Sequence, residues 1–405
     1  MEKNKLLPCV IGLGYVGLPV FLNISKYYKT IGFDKNIHRV RSLNKKIDFN
    51  YELSKKNLIL KKKSLITANE KKIKNCNFYI VTVPTPINIK KLPDLKYIIN
   101  AFKIISKYLK NKDIVFLEST VYPGTTEDIC LPILAKKKSK NDFTIGYSSE
   151  RVNPGDKGHA IDKINKVVAF NSINNEDKIK IIKIYKLISK KLYFTKNIKH
   201  AEMSKLLENT QRDLNISFIN EALILSDKMG LDFNEVYKLA KTKWNFLKFR
   251  PGLVGGHCLP VDPYYLSYIG KKNGFNAEVT LSGRKTNDKM VDFVCRYIKK
   301  KLKGLEKKKI LIAGITYKKD TSDARNSLSI KIFKKIKNTF KKAEAFDPNV
   351  NLNNFRYFKI NKEINSLIDY KAIIFLVKHT KFRKMLPKIK KLKIKVIDIF
   401  NFYGK

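Results

Sequence analysis

The chain has 405 residues, 43% of them hydrophobic and 29% charged, with a formal net charge of +49. That length and apolar content suit two or three domains with ordinary cores, and exclude both a disordered tail and a disulfide-stapled miniature. Lysines are spread along the whole chain and only ten of the 84 basic residues are arginine, so the charge reads as compositional background.

The first element carries a trap. Met1 to Lys5 is basic and Leu6 to Leu22 is uncharged, as in a secretory signal, but glycines and prolines interrupt the stretch and no A-x-A site follows. It reads instead as a short apolar strand from Pro8 running into Gly12, Gly14 and Gly17, a G-x-G-x-x-G turn that opens a helix. Such glycines allow a tight turn, a close approach of backbone to a pyrophosphate, and close helix–strand packing. A second strand, Thr30 to Phe33, ends in Asp34, 22 positions after Gly12. A carboxylate there accepts hydrogen bonds from both ribose hydroxyls and repels a 2′-phosphate, so NAD is the expected cofactor. A glycine turn in some other α/β protein is the plainer alternative.

Further apolar runs, Phe78 to Val83, Ile114 to Leu117, Thr144 to Tyr147 and Val167 to Phe170, read as buried parallel strands. Thr85, Thr120 and Glu150 follow their carboxyl ends, where ligands sit in open α/β sheets, although a turn or cap explains each equally well. From about Ala201 to Gly230 the pattern is helical, and Lys205, Asn209 and Arg212 share one face, either a solvated stripe or one wall of a polar pocket.

Pro251 to Pro263 then holds Gly255, Gly256, His257, Cys258 and Asp262. Glycines and prolines on both sides favour an exposed, positioned thiol at Cys258, whereas Cys9, Cys76, Cys130 and Cys295 read as small buried hydrophobes. The cysteines form no CxxC pair, which suits a reducing cytoplasm, and no ligand cluster suggests a metal. The remainder begins anew. Lys309 to Ile315 is a strand with a glycine turn, followed by Tyr317, Lys318 and Arg325 in a cationic loop, and by strands at Ala343 to Phe346, Ala372 to Val377 and Val396 to Ile399. This is a second, smaller doubly wound domain.

In order, GLGYVGLP (12–19), VPTP (83–86), ESTVYPGTTE (118–127), YSSERVNPGD (147–156), EMSKLLENTQRDLNI (202–216), PGLVGGHCLPVDPYYL (251–266) and ITYKKDTSDARNS (315–327) resemble the nucleotide-sugar 6-dehydrogenases. The forms NTQRDLNI, ERVNPGD and GGHC are most similar to the branch acting on UDP-N-acetylglucosamine or UDP-N-acetylgalactosamine, which makes uronic acids for surface polysaccharides such as capsule and O-antigen. The resemblance implies an α/β protein with two Rossmann-like doubly wound domains, joined by a long central helix and a helical dimerisation core. The expected parts are an NAD-binding domain (1–198), a helical domain with the cysteine loop (199–300) and a UDP-binding domain (301–405), assembled as a cytoplasmic homodimer. No nucleic-acid partner and no stable membrane insertion are expected.

It also implies chemistry. Two NAD-dependent oxidations at carbon 6 would pass through a thiohemiacetal and a thioester on Cys258. Lys205 would stabilise oxyanion character or shuttle a proton, Asn209 would hold the reacting oxygen, Asp262 would orient water, and Thr120 and Glu150 would complete the set, Glu150 as base. Gly12, Gly14, Tyr15, Val16, Gly17, Asp34, Arg39, Thr85 and Thr120 would surround NAD, with Arg325 reaching it either within the chain or across a dimer. Arg151, Val152, Lys205, Asn209, Arg212, Gly255, Tyr317 and Lys318 would line the UDP-sugar site. Four positions depart from the wider family: Pro154 for a second glutamate, Val261 for a lysine, Ser149 for a proline, and Phe400 for a basic residue. UDP-glucose and UDP-N-acetylmannosamine dehydrogenases are the rivals within the class. A basic nucleic-acid or membrane-surface protein is the remote alternative.

Overall fold

β1 (Pro8–Ile11) is buried at all four residues, as a strand covered on both faces has to be. The computed structural model describes residues 6–50, 53, 55–136, 138–152, 161–172, 174–352, 358–364 and 366–404. In it the chain forms two units, residues 1–208 with 264–275, and residues 209–263 with 276–405.

The first unit is built on an eight-stranded sheet of β1, β2 (Ile31–Phe33), β3 (Leu65–Thr67), β4 (Phe78–Val81), β5 (Ile114–Leu117), β6 (Thr144–Ser148), β7 (Asn165–Phe170) and β8 (Lys191–Thr195), in the order β3-β2-β1-β4-β5-β6-β7-β8. Around it lie α1 (Gly17–Ser25), α2 (Ile37–Asn44), α3 (Lys96–Tyr108), α4 (Leu131–Ala135) and α5 (Asn175–Tyr185). Strand alternation divides the core. Cys9, Ile11, Tyr79, Val81, Val115 and Leu117 pack on one face of the sheet, and Val10, Phe78, Ile80, Ile114 and Phe116 on the other. The order reverses at β1, between β2 and β4, which is where a doubly wound sheet opens a ligand crevice.

One pairing differs from the all-parallel reading: β7 runs antiparallel to β6. A parallel pair needs a long crossover, usually a helix, and the described residues between these strands supply only a short 3-10 turn at Ile161–Lys163. β3 and β8 were not anticipated either. β3 has three residues, and β8 is a sheet edge whose residues are all partly or fully exposed, so neither carries a buried apolar run.

α6 (Ile198–Lys228) has 31 residues, about 46 Å at 1.5 Å per residue. Its first residues belong to the first unit and the rest to the second. In the second unit follow α7 (Phe233–Ala240), the start of α8 (Asp262–Lys272), and α9 (Glu278–Lys301). A five-stranded parallel sheet of β9 (Ile310–Ala313), β10 (Ala343–Phe346), β11 (Ile360–Asn361), β12 (Ala372–Phe375) and β13 (Lys395–Ile397) completes it, with α10 (Leu328–Thr339) and α11 (Leu386–Lys391). Its order, β11-β10-β9-β12-β13, repeats the β3-β2-β1-β4-β5 portion of the first sheet. Among the described residues, no helix is long and apolar enough to cross a membrane.

Candidate functional site

In the first unit the Gly12 amide donates to Phe33 O at 2.8 Å, which ties the β1 turn to the end of β2. A side chain at Gly17 would place its first carbon 1.8 Å from Gly12 O, so only glycine lets α1 begin this close to the strand. Thr82 Oγ1 donates to Gly12 O at 2.7 Å and holds the turn from the β4 side. No side chain caps α1; Leu18 N turns back to Gly14 O at 3.3 Å and Pro19 has no amide hydrogen, so a phosphate would meet the Gly17 end of the helix, where Gly14, Tyr15 and Val16 are half-buried. Asp34 accepts from Leu13 N at 2.8 Å and stays half-exposed. Arg39 donates from Nε to Leu13 O at 2.9 Å and pairs with Asp48 at 2.7 Å, so it braces the turn. Thr85 and Thr120 are half-buried after β4 and β5. This geometry fits NAD: a bare helix terminus for the diphosphate and an accessible carboxylate for the ribose.

A buried charged cluster lies elsewhere in the same unit. Glu150 Oε1 accepts from the amides of Arg151 at 2.6 Å and Val152 at 2.5 Å, and its Oε2 lies 3.0 Å from Lys166 Nζ. Lys166 Nζ also reaches Glu118 Oε2 at 2.8 Å. Lys205 donates to the Glu150 carbonyl, and the Arg151 guanidinium forks onto Glu208. Burial pushes the Glu118 carboxyl up to about 7 against the pull of Lys166. Burial acts on Glu150 as well, but Lys166, the Val152 amide and Lys205 hold its carboxyl below the usual range. Glu118 and Lys166 were passed over in the sequence: the first sits inside a quoted motif, the second just before an apolar run, and only the fold shows that they meet.

In the second unit the Cys258 carbonyl accepts from the amides of Val261 and Asp262, each at 2.9 Å, and so closes the cysteine loop onto the first residue of α8. Asp262 in turn accepts from Asn209 Nδ2 at 2.5 Å. Cys258 is exposed and the other four cysteines are buried. The loop rests on the segment before α10. A side chain at Gly256, whose φ is +91°, would meet the Tyr317 ring at 2.7 Å, and Gly256 O accepts from Asn326 Nδ2 at 3.2 Å. His257 Nε2 lies 3.0 Å from Asp323 Oδ2, and Arg325 forks onto the same carboxylate. Burial would raise Asp323, but His257 and Arg325 hold it well below the usual carboxylate range. At the root of the loop, Asn220 donates to Gly252 O at 3.0 Å and accepts from Gly252 N at 2.9 Å. Asn220 also joins Asn287, Asp213 and the buried Arg284 in one network between α6 and α9.

Within the first unit Glu150, Arg151, Val152 and Lys205 therefore gather, and within the second Asn209, Asp262 and Cys258. Gly255, Tyr317, Lys318 and Arg325 belong to the loop pair just described; Gly255 approaches Asn326 O, and Tyr317 and Lys318 are half-buried. Lys205, Asn209 and Arg212 all lie on α6, where Lys205 and Asn209 are buried and Arg212 is exposed. Of the four departures, Ser149, Val261 and Phe400 are buried, Phe400 within the core of the second sheet; Pro154 lies outside the described residues. Among the described residues, no group of three or more His, Cys, Asp or Glu side chains could hold a metal ion.

Three models of the UDP-glucose/GDP-mannose dehydrogenase family match the chain: the NAD binding domain at residues 7–189, the central domain at 199–289, and the UDP binding domain at 311–405. A UDP-N-acetyl-D-glucosamine 6-dehydrogenase of Salmonella typhi is 42% identical over 385 residues, covering 93% of this chain and 90% of that protein. A UDP-N-acetyl-D-mannosamine dehydrogenase of Methanococcus vannielii is 32% identical, covering 98% and 93%. Among solved structures, a UDP-D-ManNAc dehydrogenase from Pyrococcus horikoshii superposes with a TM-score of 0.83 at 26% identity, over 99% of this chain and 96% of that one.

Proposed function

Because the chain belongs to the UDP-glucose/GDP-mannose dehydrogenase family and is an NAD-dependent UDP-sugar 6-dehydrogenase, we propose that it oxidises carbon 6 of a UDP-N-acetylhexosamine to the uronic acid. The substrate reading, UDP-N-acetylglucosamine ahead of UDP-N-acetylgalactosamine, rests on the 42% identity to a glucosamine enzyme against 32% to a mannosamine enzyme. We place the reaction in the cytoplasm, as a supply step for a surface polysaccharide. The three-part division at 198 and 300 serves as its functional anatomy.

The observation that carries the chemistry is the single exposed thiol among five cysteines, on a loop closed by its own carbonyl onto Asp262. Bound NAD supplies the hydride acceptor for each of the two oxidations. Cys258 Sγ adds to the carbon-6 aldehyde while a proton reaches the new oxygen, giving a thiohemiacetal; oxidation at that carbon leaves a thioester. Water then adds to the thioester carbonyl as Glu150 takes its proton, and the carbon–sulfur bond breaks to release the acid and return the thiolate. Covalent capture keeps the aldehyde from diffusing away between oxidations. Lys205 and Asn209, one turn apart on α6 and both buried, provide donors for the oxyanion, and Asp262 fixes the Asn209 amide. In substrate binding, Arg151, Val152, Arg212, Gly255, Tyr317 and Lys318 hold the UDP-sugar, and Arg325 reaches the cofactor.

NADH formation with a panel of UDP-sugars tests the assignment. UDP-N-acetylglucosamine or UDP-N-acetylgalactosamine should give the highest kcat/KM; preference for UDP-glucose or UDP-N-acetylmannosamine would replace the N-acetylhexosamine reading. We further propose a homodimer. Its support is an open groove of about 530 Å³ between α6 and α9, lined by Leu214, Phe218 and Val279, with Phe218 67% and Val279 74% exposed.

A further inference from the structure

Lys166, on β7, has no exposed surface, yet it carries an ammonium. Burying a charge is costly unless it is paired and hydrogen-bonded. Here Glu118, directly after β5, and Glu150, two residues after β6, both reach it, at 2.8 and 3.0 Å. Two carboxylates therefore share one cation; the side chains of Lys166 and Glu118 have no exposed surface, and that of Glu150 keeps 8%.

They are not equivalent. Glu150 accepts two backbone amides on its other oxygen, besides Lys166. Glu118 has Lys166 on Oε2, while its Oε1 has no hydrogen-bond partner among the described residues; the Tyr185 ring, from α5, lies 6.0 Å from Lys166 Nζ. Lys205, from α6, adds a further positive charge on the Glu150 side through its bond to the Glu150 carbonyl. Donors and cations that face the charged form of a carboxylate favour that form, and Glu150 has more of them. The raised Glu118 and lowered Glu150 carboxyls run in the same direction.

We infer that Lys166 is a positioning residue: bridging the two buried carboxylates, it keeps Glu150 ionised and oriented as the base, while Glu118 carries the proton of the pair. The inference rests on the proposed role of Glu150. It assigns a task to two buried charged residues that otherwise have none, since a structural ion pair would need neither a second carboxylate nor a link to the base.

The test is the pH profile of kcat/KM for UDP-N-acetylglucosamine oxidation in wild type, Lys166→Met and Lys166→Arg, with folding checked by near-ultraviolet circular dichroism. Loss of the cation should move the acid limb of Lys166→Met upward by about one pH unit or more, and Lys166→Arg should bring it back. A Lys166→Met enzyme that is slower but keeps the wild-type limb overturns the inference, as does a Lys166→Arg enzyme displaced just as far. Should Lys166→Met not fold, difference infrared titration of the substrate-free protein decides. The protonated-carboxyl band that titrates near neutral pH, to which Glu202 also contributes, should lose one group's intensity in Glu118→Gln and none in Glu150→Gln; the reverse pattern, or no loss in either variant, overturns it. If wild type oxidises no UDP-N-acetylhexosamine, the substrate reading fails, and the infrared titration still judges the cluster.

Discussion

His379 Nε2 lies 3.0 Å from Asp347 Oδ2, and neither residue has any exposed surface. Asp347 follows β10 as Asp34 follows β2, and it accepts from the amides of Ile315 and Thr316 as Asp34 accepts from that of Leu13. The Gly314 amide donates to Phe346 O at 2.8 Å, matching Gly12 and Phe33. The Asp320 amide can only donate, so His379 Nδ1, 3.0 Å away, accepts and Nε2 bears the hydrogen. In the second sheet an imidazole thus occupies the carboxylate whose counterpart in the first sheet, Asp34, stays half-exposed.

His379→Ala should destabilise the second unit by about 2–3 kcal/mol, the scale of a lost hydrogen bond to a buried charge. Burial works to raise the Asp347 carboxyl, but His379 and the two amides hold it below its ordinary value. A depressed carboxyl contributes stability above its unfolded value and loses it as pH falls through the folded one. The variant should therefore unfold at higher pH on acidification, followed by circular dichroism melts; an unmoved acid midpoint would reject this role.

Cys258→Ser should abolish net uronic acid formation and leave UDP-sugar binding within a few-fold of wild type, as measured by calorimetry. Undiminished turnover would refute covalent catalysis.

Asp34→Asn keeps an acceptor for the Leu13 amide but removes the charge that we propose faces the NAD ribose. KM for NAD should rise about tenfold or more, and the preference for NAD over NADP should narrow. Unchanged discrimination in initial-rate assays with both cofactors would remove Asp34 from the cofactor site.

Glu202, in the first turns of α6, accepts from Gly124 N, Thr126 N and Thr126 Oγ1, yet burial pushes its carboxyl up to about 7. A raised carboxyl binds its proton more tightly in the folded state. Its contribution is full below about 4.5 and is lost as pH rises through about 7. Urea midpoints of the first unit should fall over that window, and Glu202→Gln should make the slope shallower whatever its baseline stability. An equally steep slope would count against this account.

Phe218→Asp places a charge in the groove between α6 and α9. Light scattering should show a dimer in wild type and a monomer in the variant; a dimer in both would move the interface elsewhere.

The sequence made the nucleotide turn legible because its signals are local: Gly12, Gly17 and Asp34 lie within one strand–helix–strand unit. The cysteine loop was legible for the same reason, its glycines, prolines and thiol being adjacent. Contacts between distant strands were not. Glu118 is 48 positions from Lys166, and a lysine beside an apolar run reads as a solvated strand end until three strands close around it. Nor could spacing show that Asn220 would grip Gly252, 32 residues later, or that β7 would enter its sheet reversed. Phe400 was noted as a missing cation; its burial among the core residues of the second sheet identifies it instead as packing.

Ten arginines stand among 84 basic residues, and among the described ones four fork or pair onto carboxylates: Arg39 with Asp48, Arg151 with Glu208, Arg284 with Asp213 and Asp288, Arg325 with Asp323. Against a uniform field of lysines these four work as a stain, marking places where a flat, two-pronged donor suits the carboxylate it meets. In proteins of similar composition, the rarer cation is the one to map first.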